Sequence, residues 1–244
     1  MPPRVLLLSA TEFEVAPLTG AFVAVAGAPL ALPDGWRARE GTLNGVACVA
    51  VATGVGKVNA AALTALSVAA FRPGALLLVG IGGAYPGSGL ELGQAVWALS
   101  DTHLDTGVGQ GAEWGGMESL GFPLLPSTQA RPQATFNRIQ LAPGTRALAQ
   151  ELGHAALDFG TAEAVTADPR AAQLLRSRHG VAVESMEGAA VAQVAAALGV
   201  PLYQVRGVSN AVGERDKAHW RVPAAVAASC QAALRALPHL PEVS

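Results

Sequence analysis

Charge is scarce in this sequence. Only 14 % of its 244 residues are Asp, Glu, Lys or Arg, and 16 basic against 18 acidic side chains leave a formal charge of −2. With so near-neutral a balance and no basic run, nothing electrostatic recommends nucleic acid or an anionic membrane as a partner. Cysteine is nearly absent as well. Cys48 and Cys230 could form one disulfide at most, neither lies in a metal-type spacing, and both sit among Ala and Val, so they read as buried thiols. Long apolar runs are missing too: the uncharged stretches Val15–Pro33 and Pro73–Leu90 are broken by Gly and Pro. Neither reads as a membrane-spanning helix. The run Val5–Leu8 is too short for a signal peptide, and Glu12 and Glu14 follow it at once. Together these absences predict a cytoplasmic location.

What remains is apolar and small. Hydrophobic residues make up 51 % of the chain and Gly contributes 28 positions, which excludes a disordered or tail-like protein. A chain of this length can bury a core without staples. Short β-type runs alternate with Ala-rich helical segments. Val5–Leu8 reads as a strand and Glu12–Leu18 opens a helix; Arg37–Gly41 and Val46–Thr53 flank Asn44-Gly45, a strong hairpin signal. Gly54-Val55-Gly56-Lys57 leads into a helix over Val58–Ala70, and Ala75–Val79 is a buried strand followed by the Gly-rich Gly80–Gly89. Gln94–Leu99 reads as a strand, and Asp101–Thr128 as a long irregular loop placed to serve a site. The second half predicts helices over Ala147–Leu152, Pro169–His179 (with Asp168 as N-cap), Glu187–Leu198 and Val222–Leu237. Its strands are Ala155–Phe159, Val181–Val183 and Pro201–Val208. No linker or repeat divides the chain, so residues 1–244 read as a single α/β domain with a mixed sheet.

In such sheets chemistry collects where strands end. Four places there carry polar or Gly residues: Glu12 and Glu14; Gly80, Gly82 and Gly83; Glu184 to Glu187; and Ser209-Asn210, with Arg206 inside the last strand. Each has a purely structural reading beside the functional one. Carboxylates favour helix starts, Gly after a strand makes tight turns, and Asn suits turns. Gly80-x-Gly82-Gly83 lacks the third Gly of a dinucleotide loop. His103 and Asp105 lack a third metal ligand, so no metal is expected.

Three segments, in order along the chain, resemble the nucleoside phosphorylase/nucleosidase family. They are Gly54 to Ala61, Val183 to Ala190 with Met186-Glu187-Gly188-Ala189-Ala190, and Val205-Arg206-Gly207-Val208-Ser209-Asn210, joined by Ala10-Thr11-Glu12-x-Glu14. The resemblance implies a three-layer α/β/α fold with a central mixed sheet, no cofactor, and a homodimer or higher homo-oligomer. It implies that Glu14 deprotonates the attacking water and that Met186 packs under the ribose. By the same likeness Glu187 binds the ribose hydroxyls, Arg206 helps hold the water, and Val165 and Thr166 flank the purine. Gly80 falls at the water or phosphate corner, and Asn210 stands where the adenine-specific members carry an acid. The substrate implied is futalosine, a small nucleoside of the menaquinone pathway that would release hypoxanthine. Methylthioadenosine or S-adenosylhomocysteine cleavage, phosphorolysis of purine nucleosides, and non-catalytic nucleoside binding are the alternatives.

The chemistry suits these residue types independently. N-glycosidic cleavage passes through an oxocarbenium-like sugar, and carboxylates such as Glu14 and Glu187 can take a water proton and favour the cationic ring. An Asn at 210 offers one donor and one acceptor, which suits a 6-oxopurine where an ionised Asp would set two acceptors together. Phosphorylases of 6-oxopurine nucleosides share that preference, so Asn210 alone does not separate hydrolysis from phosphorolysis. The corner holding Glu14 does bear on it, because a carboxylate repels phosphate by about 1–4 kcal/mol per charge pair and leaves water unaffected. Arg215, with Trp220 five positions on, reads as recognising an anionic 5′-substituent, or as part of a helix-start capping region.

Overall fold

A computed structural model describes residues 5–24, 32, 36 and 38–240. Arg37, where the sequence reading begins the hairpin, and both chain ends lie outside the described residues. The first half runs β1 (Val5–Ser9), α1 (Glu12–Gly20), β2 (Val23–Ala24), β3 (Ala38–Leu43), β4 (Val46–Ala52), α2 (Lys57–Phe71), β5 (Ala75–Ala84) and β6 (Ala95–His103). The middle is β7 (Gly107–Val108), β8 (Gly115–Gly116), α3 (Met117–Leu120) and β9 (Arg138–Gln140). There follow α4 (Thr145–Leu152), β10 (Ala155–Thr161), α5 (Pro169–His179), β11 (Val183–Ser185), α6 (Gly188–Leu198), β12 (Leu202–Ala211) and α7 (Val222–Ala236).

The strands form one mixed sheet in the order β11-β10-β6-β12-β5-β1-β4-β3-β2, with β9 on β6. Period-two alternation sorts its side chains into two faces. Leu6, Leu8, Leu76 and Leu78 pack with α2 and α6 residues such as Leu63 and Val191. Leu7, Leu77 and Val79 pack with α1, α4 and α7 through Leu18, Leu148 and Val226. Helices therefore cover both faces, giving the three layers expected. Cys48 and Cys230 are free and buried, and burial pushes their thiols up to about 12 and about 11.

Local signals act as read. Asn44 and Gly45 take φ of +47° and +81°, the left-handed pair a two-residue hairpin needs, and β3 pairs antiparallel with β4 across them. Asp168 caps α5, its carboxylate accepting the Ala171 N–H at 2.7 Å. Two expectations are corrected. Gly80, Gly82 and Gly83 are not turn residues: β5 continues through them, and none has a positive φ. Nor is Asp101–Thr128 an irregular loop throughout, since Asp101–His103 complete β6 against β9 and β10, and β7 pairs with β8.

Because β5 runs on past Val79, it meets a further strand. Val183 and Glu184 of β11 pair antiparallel with Ala84 and Gly83, while β11 also pairs parallel with β10. That second pairing closes β11, β10, β6, β12 and β5 into a ring and brings the ends of β11 and β12 together beside β5. Among the described residues no helix is long and apolar enough to cross a membrane.

Candidate active site

At this rim of the sheet lies a cavity of about 380 Å³. Of the nine residues given a substrate or catalytic role from the sequence, seven line it: Glu14, Val165, Thr166, Met186, Glu187, Asn210 and Arg215; Gly82, Gly83, Glu184, Ser185, Ser209 and Trp220, from the segments also singled out, line it as well. Gly80 and Arg206 do not; they stand behind its wall.

Glu14 is held by the start of α1. Thr11 is the N-cap and forms a reciprocal capping box with it, the Thr11 N–H and Oγ1–H both donating to Glu14 Oε2 at 3.0 Å. The structural reading of this carboxylate is thus true, and it does not exhaust it. Oε1 turns the other way, accepts the Ile81 N–H of β5 at 3.0 Å, and belongs to a residue that lines the cavity. Of the four acceptor positions on the carboxylate, three are filled and one on Oε1 is free among the described residues.

Glu187 precedes α6 and is buried. Its Oε1 accepts the Gly56 N–H at 3.3 Å and its Oε2 pairs with Arg206 Nη2 at 3.2 Å. Burial pushes its carboxyl up; Arg206 opposes that, and the Glu14 charge adds to it. Gly56 reaches this contact with φ of +95°, at the N-terminus of α2 where the helix dipole also favours an anion. Arg206 donates from its other terminal nitrogen to Ile81 O at 3.2 Å. Gly80 makes room for it: a Cβ there would lie 2.5 Å from Arg206 Nη1 and 2.7 Å from Glu14 Oε1. The Gly run therefore serves clearance between strand and side chains, not a turn.

Asn210 follows a bulge in β12, where the register against β5 shifts between Val208 and Asn210. Its Nδ2 donates to Ala211 O at 2.9 Å and its Oδ1 accepts from Ser209 Oγ at 2.7 Å. A carbonyl oxygen only accepts, so the Ala211 contact fixes which end of the amide is nitrogen. One N–H and one lone pair of the amide remain. At the mouth, the exposed Arg215 guanidinium stacks 5.2 Å from the Trp220 ring centroid, and both line the cavity.

The comparisons with known proteins bear on this site. A family model described as "Phosphorylase superfamily" matches residues 4–238. The chain belongs to this superfamily. It is 39 % identical over 236 residues to a futalosine hydrolase of Thermus thermophilus, covering 95 % of this chain and 94 % of that protein. A futalosine hydrolase of Streptomyces coelicolor is 36 % identical, over 86 % of this chain and 81 % of its own. In fold the chain is similar to the futalosine hydrolase structure of Helicobacter pylori, with a TM-score of 0.81 at 19 % identity, covering 98 % and 99 % of the two chains.

Some features of this superfamily member escaped the sequence reading. The stretch Asp101–Thr128 contributes no residue to the cavity lining, and Trp114 instead packs edge-on to His179 with Arg178 over its ring. Phe13, Val55, Ile81 and Glu184 do line it. Glu184 sat in a segment the sequence singled out, but its partners, Tyr85 and Thr166, come from β5's end and another loop. Only the closing of the ring brings them together.

Proposed function

We propose that this chain hydrolyses the N-glycosidic bond of futalosine, releasing hypoxanthine in the futalosine pathway of menaquinone biosynthesis. The observation that carries the reading is an amide, Asn210, facing a cavity whose other deep polar side chains include three carboxylates: Glu14, Glu184 and Glu187. The 39 % likeness to a futalosine hydrolase supports the choice of substrate.

The proposed reaction assigns each group one task. The free lone pair of Glu14 Oε1 accepts a proton from water as the water oxygen bonds to the anomeric carbon. The bond from that carbon to the purine nitrogen breaks, its electron pair leaves with the base, and the base takes up a proton. Glu187 accepts hydrogen bonds from the ribose hydroxyls and favours positive charge on the ring. Met186 packs under the sugar, Val165 and Thr166 flank the base, and Asn210 gives its spare N–H to the base's acceptor edge. Arg206 holds Glu187 from behind the wall. Arg215 and Trp220 receive an anionic, aromatic 5′-group at the mouth.

Water suits this site better than phosphate. Among the lining residues the sole cation is Arg215, at the mouth, and Arg206 is already paired with Glu187. A dianion beside Glu14 would meet repulsion of about 1–4 kcal/mol per charge pair. The exposed apolar side chains Phe13, Val55 and Val165 around the mouth support a homodimer or higher homo-oligomer. Sedimentation at micromolar concentration tests that, and a monomer overturns it.

The deciding assay incubates the protein with futalosine, inosine and methylthioadenosine, with and without phosphate, and identifies the free base. Hypoxanthine from futalosine without phosphate is expected. Adenine from methylthioadenosine as the main product, or hypoxanthine only when phosphate is present, overturns the proposal.

A further inference from the structure

Glu163 lies outside the cavity lining, yet it grips the residue that holds Glu187. Gly56 stands before α2 and has no side chain to cap the helix, so the first N–H groups there need acceptors from elsewhere. Two carboxylates supply them. Glu187 Oε1 accepts the Gly56 N–H at 3.3 Å, and Glu163 Oε2 accepts the next one, the Lys57 N–H, at 2.9 Å. Glu163 Oε1 lies against Gly56 itself, 2.6 Å from where a Cβ would stand. The Gly56 backbone is thus fixed on its outgoing side by Glu163 and aimed on its incoming side at Glu187.

Glu163 is anchored as well. Its own N–H donates to Asp105 Oδ2 at 2.6 Å, and Asp105 Oδ1 takes the Lys57 ammonium, which also donates to Thr106 Oγ1 at 3.3 Å. Lys57 and the Glu163 segment are therefore joined twice, once through the Lys57 backbone and once through Asp105. The clasp ties together the segments ahead of α2, after β6 and after β10. Two of these feed the cavity wall, Val55 from the first and Val165 and Thr166 from the third.

We propose that Glu163 is a positioning residue: by fixing the backbone at Gly56 and Lys57 it keeps the Gly56 N–H on Glu187. This rests on the hydrolase reading for the task of Glu187, which must be ionised to favour a cationic sugar. Burial and the Glu14 charge of α1 push the Glu187 carboxyl up, while Arg206 of β12 and the Gly56 N–H pull it down. A Gly56 N–H that drifts away leaves Arg206 alone to oppose burial.

Two substitutions separate this role from plain capping of α2. In Glu163→Ala the Lys57 N–H loses its acceptor and Gly56 is free to turn from Glu187. In Glu163→Gln the amide oxygen still accepts the Lys57 N–H, although the charge is gone. Removing a nearby negative charge favours ionised Glu187 equally in both variants; losing the Gly56 N–H disfavours it, and only in Glu163→Ala. The contrast between the two isolates position from charge.

The test is an NMR titration without substrate, with thermal melting to confirm that each variant is folded. It follows the carboxyl carbon of Glu187 and the amide of Gly56. In wild type the two are expected to titrate together, with one midpoint above the ordinary 4.5. The Gly56 step should shrink in Glu163→Ala and persist in Glu163→Gln, and the Glu187 midpoint should lie about 0.5–1 pH unit higher in the Ala variant than in the Gln variant. Below both midpoints that shift is a rate about 3- to 10-fold lower in the Ala variant. A wild-type Gly56 amide that does not follow Glu187, or equal Glu187 midpoints in the two folded variants, overturns the inference. So do equal rates at low pH. The wild-type comparison needs no variant to fold. The spectra need no turnover, so failure to cleave futalosine would sink the proposed activity and leave the hold of Glu163 on Gly56 standing.

Discussion

A carboxylate with one open lone pair is what a water-activating base requires, and Glu14 has it because Thr11 and Ile81 occupy the other three positions. Glu14→Gln keeps size and removes the base, so turnover of futalosine should fall by about 10²-fold or more with substrate affinity retained. Near-normal kcat would remove Glu14 from the mechanism. Asn210→Asp should lower kcat/KM on the 6-oxopurine substrate by about 5- to 150-fold and move the preference towards the 6-amino analogue with the same 5′-group. An unchanged ratio of efficiencies would mean that residue 210 does not face the base. That these two residues and Glu187 meet at one cavity was legible from sequence, since each follows a run that must be a buried strand, and such ends converge; the roles proposed for them came from the family resemblance. Glu184 was less so, because the residues that hold it, Tyr85 and Thr166, come from separate parts of the chain.

Elements set by local chemistry came out as read: the Asn44-Gly45 hairpin, α5 with its Asp168 cap, α2 after Gly56. The Gly run after Val79 misled, because Gly in a turn and Gly under a crossing side chain look alike in sequence. The structure favours the second by steric detail, which makes it testable. Gly80→Ala would press a methyl between Glu14 and Arg206 in a strand whose φ suits Ala. A loss of about 1–3 kcal/mol in stability is expected, with kcat reduced further because the proposed reaction gives both neighbours a task. Gly87→Ala is the contrast. It has open space around its Cβ position but a φ of +73°, so its cost is backbone strain and it should leave kcat alone. Chemical denaturation and initial rates on the two variants distinguish the mechanisms. Equal kcat in both would refute the clearance reading of Gly80.

Across the whole molecule, the layer arrangement was legible and the ring closure was not, since β11 meets β5 about a hundred residues away in sequence, beyond any local pattern. On β6, one strand of that ring, stands Asp101, fully buried, which accepts from Thr161 Oγ1 at 2.8 Å on β10 and from Gln204 Nε2 at 3.1 Å on β12. Burial, only partly offset by these bonds, pushes its carboxyl from 3.8 up to about 7. Between those values the folded chain holds a proton that the unfolded chain has released. Asp101 therefore contributes stability that declines as pH rises from about 4 to about 7 and is level above that. Glu187, also pushed up by burial, acts with the same sign. His103 and His179 act against it: burial lowers both to about 4, so folding gains from them as pH rises towards their ordinary 6.5. The slope for the whole protein is a sum of opposing contributions, and a variant isolates one of them. Asp101→Asn cannot ionise, and its amide nitrogen can be met by Gln204, whose Oε1 has no partner among the described residues and can turn towards it. The unfolding free energy of Asp101→Asn relative to wild type should rise as pH goes from about 5 to about 8, read from urea titrations at several pH values. A difference that stays constant across that range would show that Asp101 does not titrate there.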